Sequence, residues 1–266
     1  MKIINKFFAL MKVRMKTYLI YPVAAISGIV AGIIDMFVFY FVWKAIYNGQ
    51  NIFNGITYAQ MMTYIVLARI LYQMFSYGAN TNIAKIIRNG DITVELIRPM
   101  SFFNVQLGTR LGHWLIEFLI TGVSMAIVGA IFLDFALPVS IGHFVLFVIS
   151  LFLAVILSFV IEFICGIVIF YTVSAWGIQC FKQAIIAFFS GSVVPIEFMP
   201  TALANFTNAL PFKSMVSFPI MIYLGNISTN EIIMGFATQI AWIVGLIIFA
   251  HIFFKIAIRK VIIAGG

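Results

Sequence analysis

The sequence predicts an all-α integral membrane protein that crosses the bilayer six times, and three observations carry that prediction. Of 266 residues, 64% are hydrophobic and 9% are charged, with a mean hydropathy of +1.13, more apolar surface than a soluble core of this length buries. The apolar residues fall in runs of about 18 or more, the length a helix needs to cross a hydrocarbon core about 30 Å thick. These runs do not alternate with polar residues, so they fit helices rather than the strands of a membrane barrel.

Residues 1–20, MKIINKFFALMKVRMKTYLI, interleave Lys2, Lys6, Lys12, Arg14 and Lys16 with apolar side chains at helical spacing. This is an amphipathic interfacial helix suited to an anionic membrane face. A signal peptide does not fit, because the apolar stretch that follows is too long for a cleaved segment. That stretch, about 22–46, is span one. Span two covers about 56–77, after the polar tip NGQNIFNG. Spans three (107–133) and four (141–171) form a hairpin through the short DFALPVS loop, and spans five and six cover 177–195 and 232–256. Residues 196–225 follow Pro195 and contain Pro200, Pro211 and Pro219, which rule out one continuous helix. Short re-entrant helices on the outer side suit this region, since broken backbone at membrane depth needs protein or a water-filled cavity around it. Residues 1–266 thus read as a single transmembrane domain.

The charges orient it. With a cytoplasmic amino terminus, Lys and Arg gather inside: Lys2, Lys6, Lys12, Arg14, Lys16, Lys85, Arg88, Arg98, Arg110, Lys182, Lys255, Arg259 and Lys260. Only Lys44 and Lys213 fall outside, and Arg69 is left within the membrane. Both termini are therefore expected in the cytoplasm. The net charge of +8 reports topology and needs no nucleic acid to explain it.

The cytoplasmic stretch 79–105 is the most informative. In NIAKIIR, residues 82–88, Ile83, Ile86 and Ile87 would lie against the membrane while Lys85 and Arg88 reach headgroups. Asn89-Gly90 supplies a turn, Asp91 is expected to cap a short helix, TVELIR, and Pro99 to stop it. Topology alone accounts for Arg88 and Arg98 but not for Asp91, Glu95 or the turn-and-stop arrangement, which reads as a shaped surface for a partner.

Chemistry is absent from the motifs. The sequence has no GxxxxGK[ST] P-loop, HExxH, GxSxG or dinucleotide fingerprint, so no catalytic, cofactor-binding or metal site is expected. Cys165 and Cys180 lack metal or redox spacing and read as packing residues. Asp35, Arg69, Glu117 and Glu162 fall inside spans one to four, at a cost that calls for partners. Arg69 is expected to pair with Glu117 or Glu162; a structural ion pair and a polar patch on a substrate path are both open. His113 reads as an interface residue. Gly28 and Gly32 form a GxxxG in span one, a candidate dimer seam.

Gly90-Asp91-Ile92 followed by Leu96-Ile97-Arg98-Pro99 resembles the G-[DE]-[IL]-x(3)-L-L-[RK]-P stretch of type-2 (ABC-2) permeases of ATP-binding-cassette transporters, with Ile97 where Leu is commoner. Ser190-Gly191, Pro195-Ile196, Phe198-Met199-Pro200, Leu210-Pro211-Phe212 and Tyr223-Leu224-Gly225 resemble the pattern of that family after span five, and RKVIIAGG (259–266) its basic Gly-Gly ending. The resemblance implies a permease domain that exports an amphiphile (drug, peptide or lipid-like) across a bacterial cytoplasmic membrane. Its partners would be membrane lipid, a second permease subunit of the same or a different chain, and a cytoplasmic ATPase dimer that binds the ATP and Mg. Arg88, Gly90, Asp91, Glu95, Arg98 and Pro99 would belong to, or border, the coupling helix that docks on the ATPase, and Gly28 and Gly32 to the permease seam. A secondary transporter would show internal repeats and spans broken midway; residues 1–133 and 134–266 show no convincing repeat. A non-transporting membrane biogenesis protein is the other alternative.

Overall fold

A computed structural model describes residues 2–20, 22–53, 55–76, 83, 85–86, 91–169, 171–172 and 174–259, with side chains from residue 5 onward. Lys2–Ile20 forms α1 and Pro22–Tyr47 forms α2; Pro22 sits at the first helical position, where its missing N–H is no loss. A short antiparallel ribbon, β1 (Ile52–Phe53) and β2 (Ile56–Thr57), pairs Ile52 with Thr57 and leads into α3, Tyr58–Ser76. After α4 (Ile92–Ile97), α5 (Phe102–Glu117) passes through a π-helical turn, Phe118–Gly122, into α6 (Val123–Phe132). Then come α7 (Ile141–Val168), α8 (Ala175–Phe189), a 3-10 turn at Ile196–Phe198, α9 (Thr201–Ala209), a second at Pro211–Met215, α10 (Ser217–Leu224) and α11 (Thr229–Ile258).

Four helical stretches among the described residues are long and apolar enough to cross a membrane: Pro22–Tyr47, Phe102–Phe132, Ile141–Val168 and Thr229–Ile258. They overlap the stretches expected as spans one, three, four and six. The stretch expected as span two overlaps α3, whose 19 residues include Gln60, Thr63, Arg69 and Gln73. The helix expected over 177–195 is shorter: α8 has 15 residues, about 22 Å, because Ser190-Gly191-Ser192 turns the chain with Gly191 at φ +81.

Serine starts four of the helices. Ser101, Ser140 and Ser174 accept from the N–H of Asn104, His143 and Gly177 at 3.3, 3.2 and 3.1 Å. Ser228 and Glu231 form a reciprocal capping box on α11. The proline-broken region contains two short helices, α9 and α10. Every residue of α10 is buried, and Pro219 lies in its first turn, where a missing N–H is tolerated.

The main core joins α2, α3, α7 and α10 through residues such as Met36, Tyr64, Phe75 and Val155. A second cluster, with Ile83, Ile92, Phe102, Phe163, Ala250 and Ala257, closes the other end. Ile83 is fully buried there, under Gly166 of α7, rather than lying against lipid. α1 and α5 run side by side in the same direction: a Cβ on Gly108 would sit 3.1 Å from the Phe7 ring, and one on Gly112 2.5 Å from the Met11 carbonyl oxygen. This second GxxxG is the one that permits close approach. In α2, Gly32 is buried against Met125 of α6, whereas Gly28 faces open space; the two are not one exposed seam, because only Gly28 remains on the outer face.

Candidate functional site

Helix α4 is a small platform with one buried foot. Ile92 packs into the cluster formed by Phe102, Phe163 and Ala257, while Val94, Leu96 and Ile97 are 59%, 45% and 84% exposed. Arg98 leaves the helix in extended conformation, ψ 144, as a residue before Pro99 must, and its guanidinium pairs with Glu95 at 3.0 Å. Asp91 does not cap the helix as expected. Its own φ of −65 and ψ of −9 are helical and its carboxylate makes no cap hydrogen bond; a capping side chain needs a non-helical backbone to reach back. Arg88 and Gly90 lie outside the described residues.

The intramembrane charges separate into two layers. Near the middle of α3, Arg69 Nη1 pairs with Asp35 Oδ2 of α2 at 3.4 Å, and Nη2 donates to the Ser192 carbonyl. The guanidinium lies over the Phe39 ring at 3.9 Å and near Tyr72 at 5.0 Å, a cation–π arrangement. One turn up α3, Tyr64 donates to the Gly191 carbonyl at 2.9 Å. α3 thereby grips the turn that ends α8. Asp35 remains 42% exposed.

The second layer is built on Arg110 of α5. Its Nε lies 3.1 Å from Glu162 Oε2 of α7, its Nη2 donates to the Met74 carbonyl at 2.8 Å, and its Nη1 is 4.0 Å from Glu117 Oε2. Lys182 of α8 donates to Glu162 Oε1 at 3.5 Å, and His113 Nδ1 approaches Glu117 Oε2 at 3.4 Å. Arg110, Glu117, Glu162 and Lys182 are all buried. Two cations and two carboxylates balance, and each carboxylate is shared, as burial of charge requires.

The expected pairing of Arg69 with Glu117 or Glu162 is therefore corrected to Asp35. Position along the helices explains it: Arg69 lies 11 residues from Tyr58 and Asp35 12 residues from Tyr47, about 17 and 18 Å, whereas Glu162 lies about 32 Å from Ile141 along α7. Arg110 and Lys182 went unrecognised as partners because they were counted with the cytoplasmic flank. The signal was in the sequence, since Arg110, His113 and Glu117 at i, i+3 and i+7 share one helix face. Among the described residues no group of His, Cys, Asp or Glu is arranged to hold a metal ion.

Comparison with curated proteins gives no match. Residues 33–265, from the middle of α2 through the whole of α11 and beyond, match the family described as ABC-2 family transporter protein. A match over most of its length, on a fold of several membrane-crossing helices, makes this chain a multi-pass membrane protein that belongs to the ABC-2 family transporter proteins.

Proposed function

We propose that the chain is the membrane-spanning permease subunit of an ATP-driven exporter, working with a second permease and with ATPase subunits that bind ATP and Mg. Its six spans are α2, α3, α5–α6, α7, α8 and α11, both termini are cytoplasmic, and the membrane is a bacterial cytoplasmic membrane. The cargo is an amphiphile of drug, peptide or lipid-like type. Family membership supports the transport role, and the sequence contains no P-loop of its own.

The observation that carries the ATPase contact is α4: three exposed apolar side chains beside an ion pair, on a helix footed by buried Ile92. An exposed apolar patch of this kind marks an interaction surface. Motion of a docked ATPase would enter through α4 and pass directly into α5, which carries Arg110 and so touches α7 and, through Glu162, α8. Alternating access would follow as these helices shift against one another.

The test is co-purification and transport. The wild-type chain is expected to retain an ATP-binding-cassette ATPase from its native membranes and to support ATP-dependent uptake of an amphiphile into inside-out vesicles. Substitution of Gly90, Asp91 and Glu95 together is expected to lower ATPase retention and uptake alike. Unchanged assembly and unchanged substrate-stimulated ATP hydrolysis in that variant would refute the coupling role.

A further inference from the structure

A cavity of about 340 Å³ opens where α1, α2 and α5 meet, lined by Arg14, Thr17, Tyr18, Ala24, Ala25 and His113, so that a mostly apolar wall carries a few polar groups. Arg14, Thr17 and Tyr18 share one face of α1 by their spacing. Tyr18 meets the His113 ring edge-on, centroids 5.3 Å apart, which fixes both rings at the cavity wall. None of the ion pairs among the described residues includes Arg14. Thr17 spends its hydroxyl proton on the Val13 carbonyl at 3.0 Å, so the polar groups left to the cavity are the Arg14 guanidinium, the Tyr18 hydroxyl and the His113 ring.

The depth of the cavity narrows the choice of occupant. Phe102–Phe132 is a 31-residue stretch, about 46 Å, longer than the hydrocarbon thickness of about 30 Å. Counting some 30 Å back from Phe132 ends at His113, and a similar count from Tyr47 ends near Ala25. Both sides of the cavity thus lie at the level of the inner headgroups. α1 carries five basic and no acidic residues, on the leaflet face where anionic lipids concentrate.

We infer that this cavity binds the phosphate of an anionic phospholipid from the inner leaflet, held by Arg14, Tyr18 and His113. The guanidinium supplies the charge-assisted fork that phosphate oxygens favour, and the small side chains of Ala24 and Ala25 leave room for the glycerol. Through His113 the bound phosphate is one side chain removed from Glu117 and so from the Arg110–Glu162–Lys182 network. Lipid occupancy would therefore tie α1 to the buried charges that join α5, α7 and α8. The inference rests on the orientation proposed above.

The experiment uses the full-length chain, purified in detergent and titrated with phosphatidylglycerol or phosphatidylcholine, with retained lipid counted by native mass spectrometry. The wild type is expected to hold one phosphatidylglycerol in preference to phosphatidylcholine. Arg14→Gln is expected to weaken that binding roughly tenfold or more, on the scale of one lost charge-assisted hydrogen bond, and Tyr18→Phe to weaken it less. Lys12→Gln, on an exposed position of the same helix, is expected to leave it unchanged, and all three are expected to melt at the wild-type temperature in lipid-free detergent. Equal losses at Arg14 and Lys12 would overturn the site in favour of diffuse surface attraction, as would displacement of the lipid by millimolar inorganic phosphate. Protease access to an amino-terminal tag in intact cells tests the orientation separately, so its failure is distinguishable from failure of the lipid site.

Discussion

The two buried arginines solve one problem in different ways. Arg69 stands near the middle of α3 with a half-exposed carboxylate, a backbone carbonyl and two aromatic rings. Arg110 stands midway along α5 among buried groups, and the carboxylate it needs most, Glu162, is also the anchor of Lys182. The first arrangement pins a turn; the second joins three helices through one shared anion. The difference teaches where stability depends on a single atom group. Arg69 keeps neutral partners if its carboxylate is lost, whereas loss of the Glu162 charge takes from Lys182 its ion pair and leaves Arg110 with the Met74 carbonyl and the more distant Glu117.

The largest expected effect follows from that contrast. Glu162→Gln should destabilise the purified chain by about 3–5 kcal/mol, the cost of leaving buried charge uncompensated, read as a drop in melting temperature in detergent. An effect no larger than that of Asp35→Asn would break the comparison. Next comes Gly112→Leu, which drives a side chain into the Met11 backbone and should cost about 1–3 kcal/mol while freeing α1, seen as new protease sensitivity within residues 1–20. Asp35→Asn should cost about 1 kcal/mol, because the carbonyl and ring contacts of Arg69 survive. Exchange of the pair, Asp35→Arg with Arg69→Asp, should recover part of what Arg69→Asp alone loses. No recovery would mean that the Ser192 carbonyl and the rings, not the carboxylate, fix Arg69. The smallest effect is at α4, where Glu95→Ala removes an ion pair whose arginine is half-exposed, worth about 1 kcal/mol or less, and should leave the melting temperature nearly unchanged while lowering ATPase retention.

Legibility in the sequence followed locality. Pro22 and Pro99 marked where one helix begins and another ends because proline acts on the neighbouring backbone. The proline-rich stretch after Pro195 showed its breaks for the same reason. Asp91 did not follow its local signal, since the backbone around it is already helical. The pairings of Arg69 and Arg110 were hidden because they depend on depth along four helices, and a span drawn a few residues off moves a charge from membrane to flank. Gly108 and Gly112 were overlooked for a related reason: which of two GxxxG pairs meets a neighbour is decided by tertiary packing, and here α1 chose the one in α5. The carboxyl end of α8 falls short of the expected 195 because Ser190-Gly191-Ser192 sits inside an apolar run and turns the chain there, held by Arg69, Tyr64 and the Ser217 N–H.

The central claim is that α4 is where an ATPase meets this permease, and a site-directed crosslink tests it most directly. A cysteine placed by Ile97→Cys on the exposed end of α4, in a chain with Cys165 and Cys180 replaced by Ala, is expected to give a crosslinked adduct with the co-purified ATPase. Leu137→Cys, equally exposed in the loop between α6 and α7, is expected to give none. An adduct of equal yield at both positions, or an ATPase captured only through position 137, would contradict the account.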